Sequence, residues 1–478
     1  MSSNIPKIHI ITLGCKVNQC DAEELAHALA QMGHPVEIGI GSEENPGGHG
    51  DPALQLPATG SDTSLNAQPS TLNEVFVVNT CTVTTTADAK ARKLIRRLAK
   101  DHPQAQIIVT GCYAQRAADE ISKLGDGITV VPNIHKPKLA DIIASRISAN
   151  GGQALDKDFS LNAQRCTLNE SESTQPQSHK AVVASKRTRF FLKIQDGCDH
   201  ACTFCATHAV RGPMRSKPLD HVLSAITHFI EAGAQEVVLC GIRLGAYGVD
   251  FKDGTSLAKL LYAVRALPLP RLRLSSIEPL DVTEELLAEF ADHPSLCHHL
   301  HLPLQSGDDT VLAEMARGYR VADYRALVAR IKSIWPDLAL TSDVMVGFPG
   351  ESDAAFQNTL AVVRELTFTK AHIFRYSPRP HTPAAARKDQ VPENVKRARL
   401  EALEQLTADL FAQHAARMIG ETVEVLVEQR NSATGRWEGL TPGYLRVEIA
   451  SSDPLAGKIV AVWVVSAGKE YLVSEFTS

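Results

Sequence analysis

Gly197-Cys198-Asp199-His200-Ala201-Cys202-Thr203-Phe204-Cys205 puts three thiols within eight residues, at the spacing C-x3-C-x2-C. A short loop with this spacing aims three sulfurs at one point, and thiolates suit soft metals and iron–sulfur clusters. A cubane usually takes four cysteines. A three-cysteine loop therefore borrows a distant fourth ligand or leaves one iron open to a substrate, and the open iron would make this an enzyme. A structural zinc site is the competing reading, with His200 or His208 as the remaining ligand. Disulfides fit poorly, because nothing in the chain points to an oxidising compartment.

Downstream of about Arg187, strands and helical patterns alternate. Strands are expected at Phe190–Gln195, Glu236–Cys240, Arg271–Ser276, His298–Leu302, Ala339–Val344 and His372–Tyr376. Six such units predict a partial parallel (β/α)6 barrel, whose chemistry belongs in the loops after the strands. The unusual residues lie in those loops: the cysteine loop, Gly241-Ile242-Arg243, Ser276-Ile277-Glu278-Pro279, Pro303-Leu304-Gln305-Ser306-Gly307, Gly347-Phe348-Pro349-Gly350-Glu351 and Ser377-Pro378-Arg379-Pro380. Ser275, Glu278 and Gln305 are cofactor-contact candidates from strand-end position alone. The competing reading makes such polar residues caps of the following helices. Cys240 and Cys297 read as small core residues. His298, His299 and His301 cannot all point inward from one strand, and read as packing and hydrogen-bonding groups.

Upstream, Ile8-His9-Ile10-Ile11-Thr12-Leu13 reads as a strand, and Asp21 as the cap of a helix running to about Met32. Further strands at Val75–Val78 and Gln106–Thr110, with a helix between, predict an open α/β sheet. Cys15, Cys81 and Cys112 each lie just past a strand end, where such sheets collect ligands. They form a second three-thiol constellation, set against the alternative of three unrelated buried cysteines. Gly41–Thr71 reads as an inserted loop and Asn150–His179 as a polar linker holding a free Cys166. Pro392–Met418 reads as a long helix with Leu400, Leu403, Leu406 and Leu410 near one face. Short β runs follow at Thr422–Glu428, Arg446–Ile449, Ile459–Val465 and Tyr471–Val473.

The 478 residues allow about three domains. A hydrophobic share of 44% and a charged share of 22% are those of an ordinary soluble protein with a sizeable core. With a net charge of -5, any nucleic-acid surface must be local. Lys90, Arg92, Lys93, Arg96, Arg97 and Lys100 crowd one predicted helix, while Lys186, Arg187, Arg189, Arg211, Arg215 and Lys217 flank the cysteine loop. Such side chains attract phosphates, or else make a solvated face. No signal peptide and no membrane span are expected, which fits a cytoplasmic protein with reduced thiols.

The cysteine loop, with Phe204 before the last thiol, resembles the radical S-adenosylmethionine (SAM) enzymes. That resemblance implies a [4Fe–4S] cluster on Cys198, Cys202 and Cys205 whose open iron chelates SAM and drives its cleavage to a 5′-deoxyadenosyl radical. Thr12-Leu13-Gly14-Cys15-Lys16-Val17-Asn18, Asn79-Thr80-Cys81-Thr82-Val83-Thr84 and Val109-Thr110-Gly111-Cys112-Tyr113-Ala114-Gln115 resemble the N-terminal domain of the methylthiotransferases. There the resemblance implies an auxiliary [4Fe–4S] cluster on Cys15, Cys81 and Cys112; Cys20 stands where the family often has tyrosine. Cys240-Gly241-Ile242-Arg243-Leu244-Gly245-Ala246-Tyr247-Gly248, Arg271-Leu272-Arg273-Leu274-Ser275-Ser276-Ile277-Glu278 and His301-Leu302-Pro303-Leu304-Gln305-Ser306-Gly307 resemble the MtaB-type branch and the wider family. Ala206-Thr207-His208 departs from it, where an aliphatic pair and proline are usual.

The resemblance implies four segments: a cluster domain at 6–149, a linker at 150–186, a radical SAM domain at 187–417 and a TRAM-like RNA-binding β-barrel at 418–478. It implies methylthiolation at C2 of N6-threonylcarbamoyladenosine at position 37 of tRNA, with two clusters, SAM, and an electron donor such as a flavodoxin or ferredoxin. The alternatives are the same chemistry on isopentenyladenosine or on a ribosomal-protein aspartate, and a non-catalytic RNA-binding protein with structural zinc. Glu421, Glu424, Glu428, Glu438 and Glu448 leave the C-terminal segment less basic than a phosphate-binding surface requires.

Overall fold

A computed structural model describes residues 6–40, 74–148 and 188–476. The expected insertion, the linker, Cys166, Lys186 and Arg187 lie outside them. The chain divides into two compact units. Among the described residues the first holds 6–40, 74–148 and Ala209–Gly212, and the second holds the rest.

The first unit is built on five parallel strands: β1 (Ile8–Thr12), β2 (Val36–Ile40), β3 (Val75–Thr80), β4 (Gln106–Gly111) and β5 (Ile128–Val130), in the order β2-β1-β3-β4-β5. β1 and β3 are buried along their whole length, as strands covered on both faces must be. One face packs Ile11, Phe76 and Val78 on Leu94, Ile95 and Leu98; the other packs Ile8, Ile10 and Val77 on Leu25, Ala26 and Leu29. The chain winds outward in opposite directions from β1 and β3, so a crevice opens at their carboxyl ends. β2 and β5 were not anticipated.

Asp21 does not cap a helix. The helix runs Lys16–Gln31, its N-cap Cys15 makes no side-chain cap bond, and Asp21 is buried within it. Its carboxylate meets Lys136 at 2.6 Å and Arg211 at 3.4 Å. A buried carboxylate needs such partners more than a helix end needs a cap.

In the second unit six parallel strands follow in chain order: β6 (Arg189–Asp196), β8 (Glu236–Gly241), β9 (Arg271–Leu274), β10 (His299–His301), β11 (Ala339–Val346) and β12 (Lys370–Arg375). The two-residue β7 (Arg215–Ser216) pairs antiparallel with β6. Between β9 and β10 the ladder thins to single parallel bridges, Leu272 to Leu296 and Ser276 to His301. This is the expected partial barrel, with β9 ending earlier so that Ser275 to Glu278 form a loop.

The helix Glu393–Met418 buries Leu403 and Leu410 and leads to a closed barrel of β13 (Thr422–Arg430), β14 (Trp437–Leu440), β15 (Arg446–Ile449), β16 (Ile459–Ala467) and β17 (Leu472–Glu475). β14 was not anticipated. It contains Gly439, where a Cβ would lie 2.4 Å from the Leu426 carbonyl oxygen, so the close strand approach excludes a side chain.

This small barrel docks against the amino ends of the parallel strands, away from their loops. Arg189 meets Glu428 at 2.7 Å, Arg271 meets Glu424 at 2.7 Å, and Arg273 donates to the carbonyls of Thr441 and Pro442 at 3.2 and 2.7 Å. Arg189 is thus no phosphate-facing group, since it is buried in an ion pair. Two of the glutamates that made the segment look acidic are engaged in this docking. At the centre Arg273 and Glu236, both fully buried, pair at 2.7 and 3.1 Å. Burial alone would raise the Glu236 pKa, but Arg273 beside it holds the carboxylate below its usual range.

Arg273→Met strands the Glu236 charge and should cost ~3–5 kcal/mol of unfolding free energy, read by urea titration. Adding Glu236→Leu should restore most of it. A loss below about 1 kcal/mol would mean that the pair does not hold the barrel.

Candidate active site

At the end of β6, Gly197 takes φ +75° and the chain turns into the cysteine loop. Buried Gln195 donates to the carbonyls of Asp196 and Gly197 at 3.0 and 2.9 Å and accepts the Arg243 N–H at 2.8 Å. Arg243, after β8, grips both oxygens of Asp281 at 3.0 and 2.6 Å and Asp199 at 2.6 Å. One guanidinium therefore ties together the loops after β6, β8 and β9. Farther along, Thr203 donates from its N–H to Met315 O at 3.1 Å and from its hydroxyl to Glu314 O at 2.8 Å. Phe204 packs against a buried cluster that includes Met315, Met345, Phe348 and Tyr376.

The three sulfurs sit half-buried in this frame. Cys198 Sγ accepts from the His200 N–H at 3.4 Å, Cys205 Sγ from the Thr207 N–H at 3.3 Å, and Cys202 Sγ from Arg317 Nη1 at 3.4 Å. The departing residues support the loop: the Cys205 thiol donates to Thr207 Oγ1 at 3.1 Å, and His208 Nδ1 lies 2.6 Å from the Cys198 carbonyl oxygen. Burial pushes the Cys198 thiol up to about 11, and the neighbouring Cys205 and Cys202 push the same way. Burial raises Cys202 also. N–H donors aimed at sulfur suit thiolate ligands. Among the described residues no group of three or more His, Cys, Asp or Glu side chains is placed to hold a metal ion as it stands. The fit to a cluster therefore rests on the sulfur donors and their hydrogen bonds.

Beyond the loop, Glu278 pairs with Arg317 through Oε2. The Ser275 hydroxyl and the Gln305 Oε1 are buried with no hydrogen-bond partner among the described residues, which leaves both able to meet a ligand. Gln305 holds φ +64°, a left-handed conformation uncommon outside glycine. Its backbone is clamped there, its N–H on Asp343 O and its carbonyl under the Met345 N–H, both at 2.9 Å. His301 Nε2 lies 3.4 Å from Asp343 Oδ2. Burial works to raise the Asp343 pKa, but His301, with His372 and Arg317, holds the carboxyl low. Glu351 closes its own loop, accepting from Gly347 N–H at 2.6 Å and Arg399 at 2.7 Å. Cys240 and Cys297 are core residues. His299 is buried against Thr341 and Tyr444, while His298 is bonded to Asp337 at 2.8 Å. Sequence reasoning missed Arg317, the Arg243–Asp281 fork and Asp343, since no spacing marks contacts made across the barrel.

In the first unit the loops after β1, β3 and β4 crowd together. Gly14 sits at φ +105°, and a Cβ there would lie 2.4 Å from Cys81 Cβ and 2.9 Å from its Sγ. Gly111 sits at φ +97°, where a Cβ would fall 2.2 Å from the Thr80 carbonyl oxygen. The glycines before Cys15 and Cys112 are therefore close-approach glycines. Asn18 laces these loops, donating to Leu13 O at 2.9 Å and Thr80 O at 3.1 Å and accepting on its own carbonyl from Asn79 at 2.8 Å. Cys15 is exposed, Cys81 and Cys112 are buried, and Cys20 is buried within the helix Lys16–Gln31.

Arg211 donates to Asn18 Oδ1 at 2.5 Å and is buried, so it does not face phosphates. On the helix Thr85–Asp101, Lys90, Lys93, Arg96, Arg97 and Lys100 are exposed. Arg92 is bound to Tyr113 at 3.0 Å and Glu120 at 3.1 Å.

Asn18→Ala strands the Leu13 and Thr80 carbonyls and should cost ~1–3 kcal/mol. Chemical denaturation checks this; an unchanged midpoint would mean that Asn18 does not lace the three loops.

Residues 192–363 match the radical SAM superfamily, and residues 60–132 match the uncharacterized protein family UPF0004. The chain is 34% identical to the threonylcarbamoyladenosine tRNA methylthiotransferase MtaB of Thermotoga maritima, over 98% of this chain and 96% of that protein. It is 36% identical to the protein of the same name in Bacillus subtilis, over 97% and 95%. It is also 34% identical to a tRNA-2-methylthio-N(6)-dimethylallyladenosine synthase of Salinispora arenicola, over 90% and 79%. Among solved structures, the radical SAM methyltransferase TsrM of Kitasatospora setae superposes with a TM-score of 0.54 at 15% identity, covering 80% of this chain and 77% of that one. At that identity the likeness is one of fold.

Proposed function

The chain belongs to the MtaB-type tRNA methylthiotransferases, and we propose that it adds a methylthio group to C2 of N6-threonylcarbamoyladenosine at position 37 of tRNA. The observation that carries this reading is a near-full-length likeness to two relatives of that name, in a chain with two sets of three thiols at strand ends.

The target carbon carries a C–H bond with no acidic proton, so an ordinary base cannot open it. Cys198, Cys202 and Cys205 would hold a [4Fe–4S] cluster, which would supply one-electron chemistry toward SAM, and Cys15, Cys81 and Cys112 would hold a second, which would supply a site for sulfur. The chain's own residues do the rest. Arg243 and Gln195 hold the cysteine loop rigid, and Phe204 seals its underside with apolar packing. The Ser275 hydroxyl and Gln305 Oε1 bind SAM as hydrogen-bond partners, which accounts for their burial without a partner among the described residues. Glu278 holds Arg317 through one carboxylate oxygen and stays a candidate SAM contact through the other.

The exposed cations of the helix Thr85–Asp101 draw the tRNA backbone in. Replacing Lys90, Arg96 and Lys100 by Glu should weaken tRNA binding and flatten its salt dependence, by roughly 0.9 in log–log slope for each phosphate no longer neutralised. Unchanged affinity and slope would remove this face from the interface. The four-segment division at 6–149, 150–186, 187–417 and 418–478 goes with this reading, as do a flavodoxin- or ferredoxin-type electron donor and a cytoplasmic location. Among the described residues no helix is long and apolar enough to cross a membrane.

Nucleoside analysis of tRNA from a deletion strain tests the substrate. The 2-methylthio form of N6-threonylcarbamoyladenosine should vanish, and the parent gene should restore it while Cys81→Ala and Cys202→Ala do not. Loss of the methylthio group from isopentenyladenosine instead would reassign the substrate.

A further inference from the structure

We propose that Arg317 is a positioning residue that tunes the iron–sulfur centre, by giving the Sγ of Cys202 a fixed, charged hydrogen-bond donor. This rests on the reading that Cys198, Cys202 and Cys205 hold a cluster. Arg317 follows the short helix Asp309–Glu314, more than a hundred residues from the cysteine loop. Its side chain is 3% exposed. Each edge of the guanidinium is engaged: Nη1 donates to Cys202 Sγ at 3.4 Å, Nη2 to Glu278 Oε2, and Nε to the Tyr319 hydroxyl at 3.4 Å. The same guanidinium lies 5.5 Å from the Tyr319 ring centroid. Tyr319 is itself fixed, its hydroxyl 3.0 Å from the carbonyl oxygens of both Pro303 and Leu304.

A donor held on every side and shielded from water cannot turn away from sulfur. The other two sulfurs accept from the neutral backbone N–H groups of His200 and Thr207, so the donor at Cys202 differs by carrying a full charge. Positive charge and an N–H aimed at a ligand sulfur favour an added electron on the centre, more so where water does not screen them. Glu278 holds Arg317 in place and partly offsets its charge, so the two have opposite effects on that electron.

The test uses the full-length chain with Cys15, Cys81 and Cys112 replaced by Ala, reconstituted anaerobically with iron and sulfide so that one candidate site remains. Its midpoint potential is read by redox titration followed by electron paramagnetic resonance. At matched iron and sulfide content, Arg317→Gln should move the midpoint to more negative values and Arg317→Lys by less. Glu278→Gln should move it the other way. A midpoint that stays put or rises in a loaded Arg317 variant overturns the proposal. If neither Arg317 variant loads iron, Glu278→Gln decides, and a midpoint that fails to rise overturns it. Failure of the underlying reading looks different, because the parent itself would take up no iron and sulfide.

Discussion

A parallel sheet brings the carboxyl end of every strand to the same edge, and this constraint is what both thiol sets depend on. Cys15, Cys81 and Cys112 are far apart in sequence yet follow three strands that adjoin in the order β1-β3-β4. Cys198, Cys202 and Cys205 follow β6, and the residues that brace them follow β8, β9 and β10. Loops that meet this way need no sequence proximity, only strands of the right order and length.

Close approach at such an edge requires that the backbone be small and its polar groups be satisfied. Gly14 and Gly111 meet the first need; Asn18 and Asn79 meet the second, by donating to carbonyls of neighbouring loops. In the second unit the same work falls to charged forks. Arg243 joins three loops, and Arg317 joins the cysteine loop to Glu278 and Tyr319. Soft sulfur donors thus sit in a frame of rigid N–H groups. At the opposite ends of the strands, arginines serve to seat the small barrel, which accounts for Glu424 and Glu428 and leaves the loop edge unobstructed by it.

Much of this was legible in the sequence because it is local. The cysteine spacing, the apolar runs of β1, β3 and β4, and the six barrel strands all announce themselves within a few residues. What was not legible is tertiary. Asp21 reads as a cap until Lys136 and Arg211 arrive from distant sequence. Arg189 and Arg211 read as phosphate-binding groups until a carboxylate and an amide from distant sequence claim them. β2, β5 and β14 are short, and their existence depends on a neighbour to pair with more than on their own propensity. Glu278 sits at a strand end, and its pairing with a guanidinium more than thirty residues downstream left no mark in the local sequence.

The most direct measurement is an iron and sulfide count, with Mössbauer spectra, on anaerobically reconstituted chains. Two clusters predict about eight irons per parent chain and about four in each of two variants, one with Cys15, Cys81 and Cys112 replaced and one with Cys198, Cys202 and Cys205 replaced, all in cubane form. Zinc without sulfide in the parent, or an iron content that either triple replacement leaves untouched, would contradict that assignment.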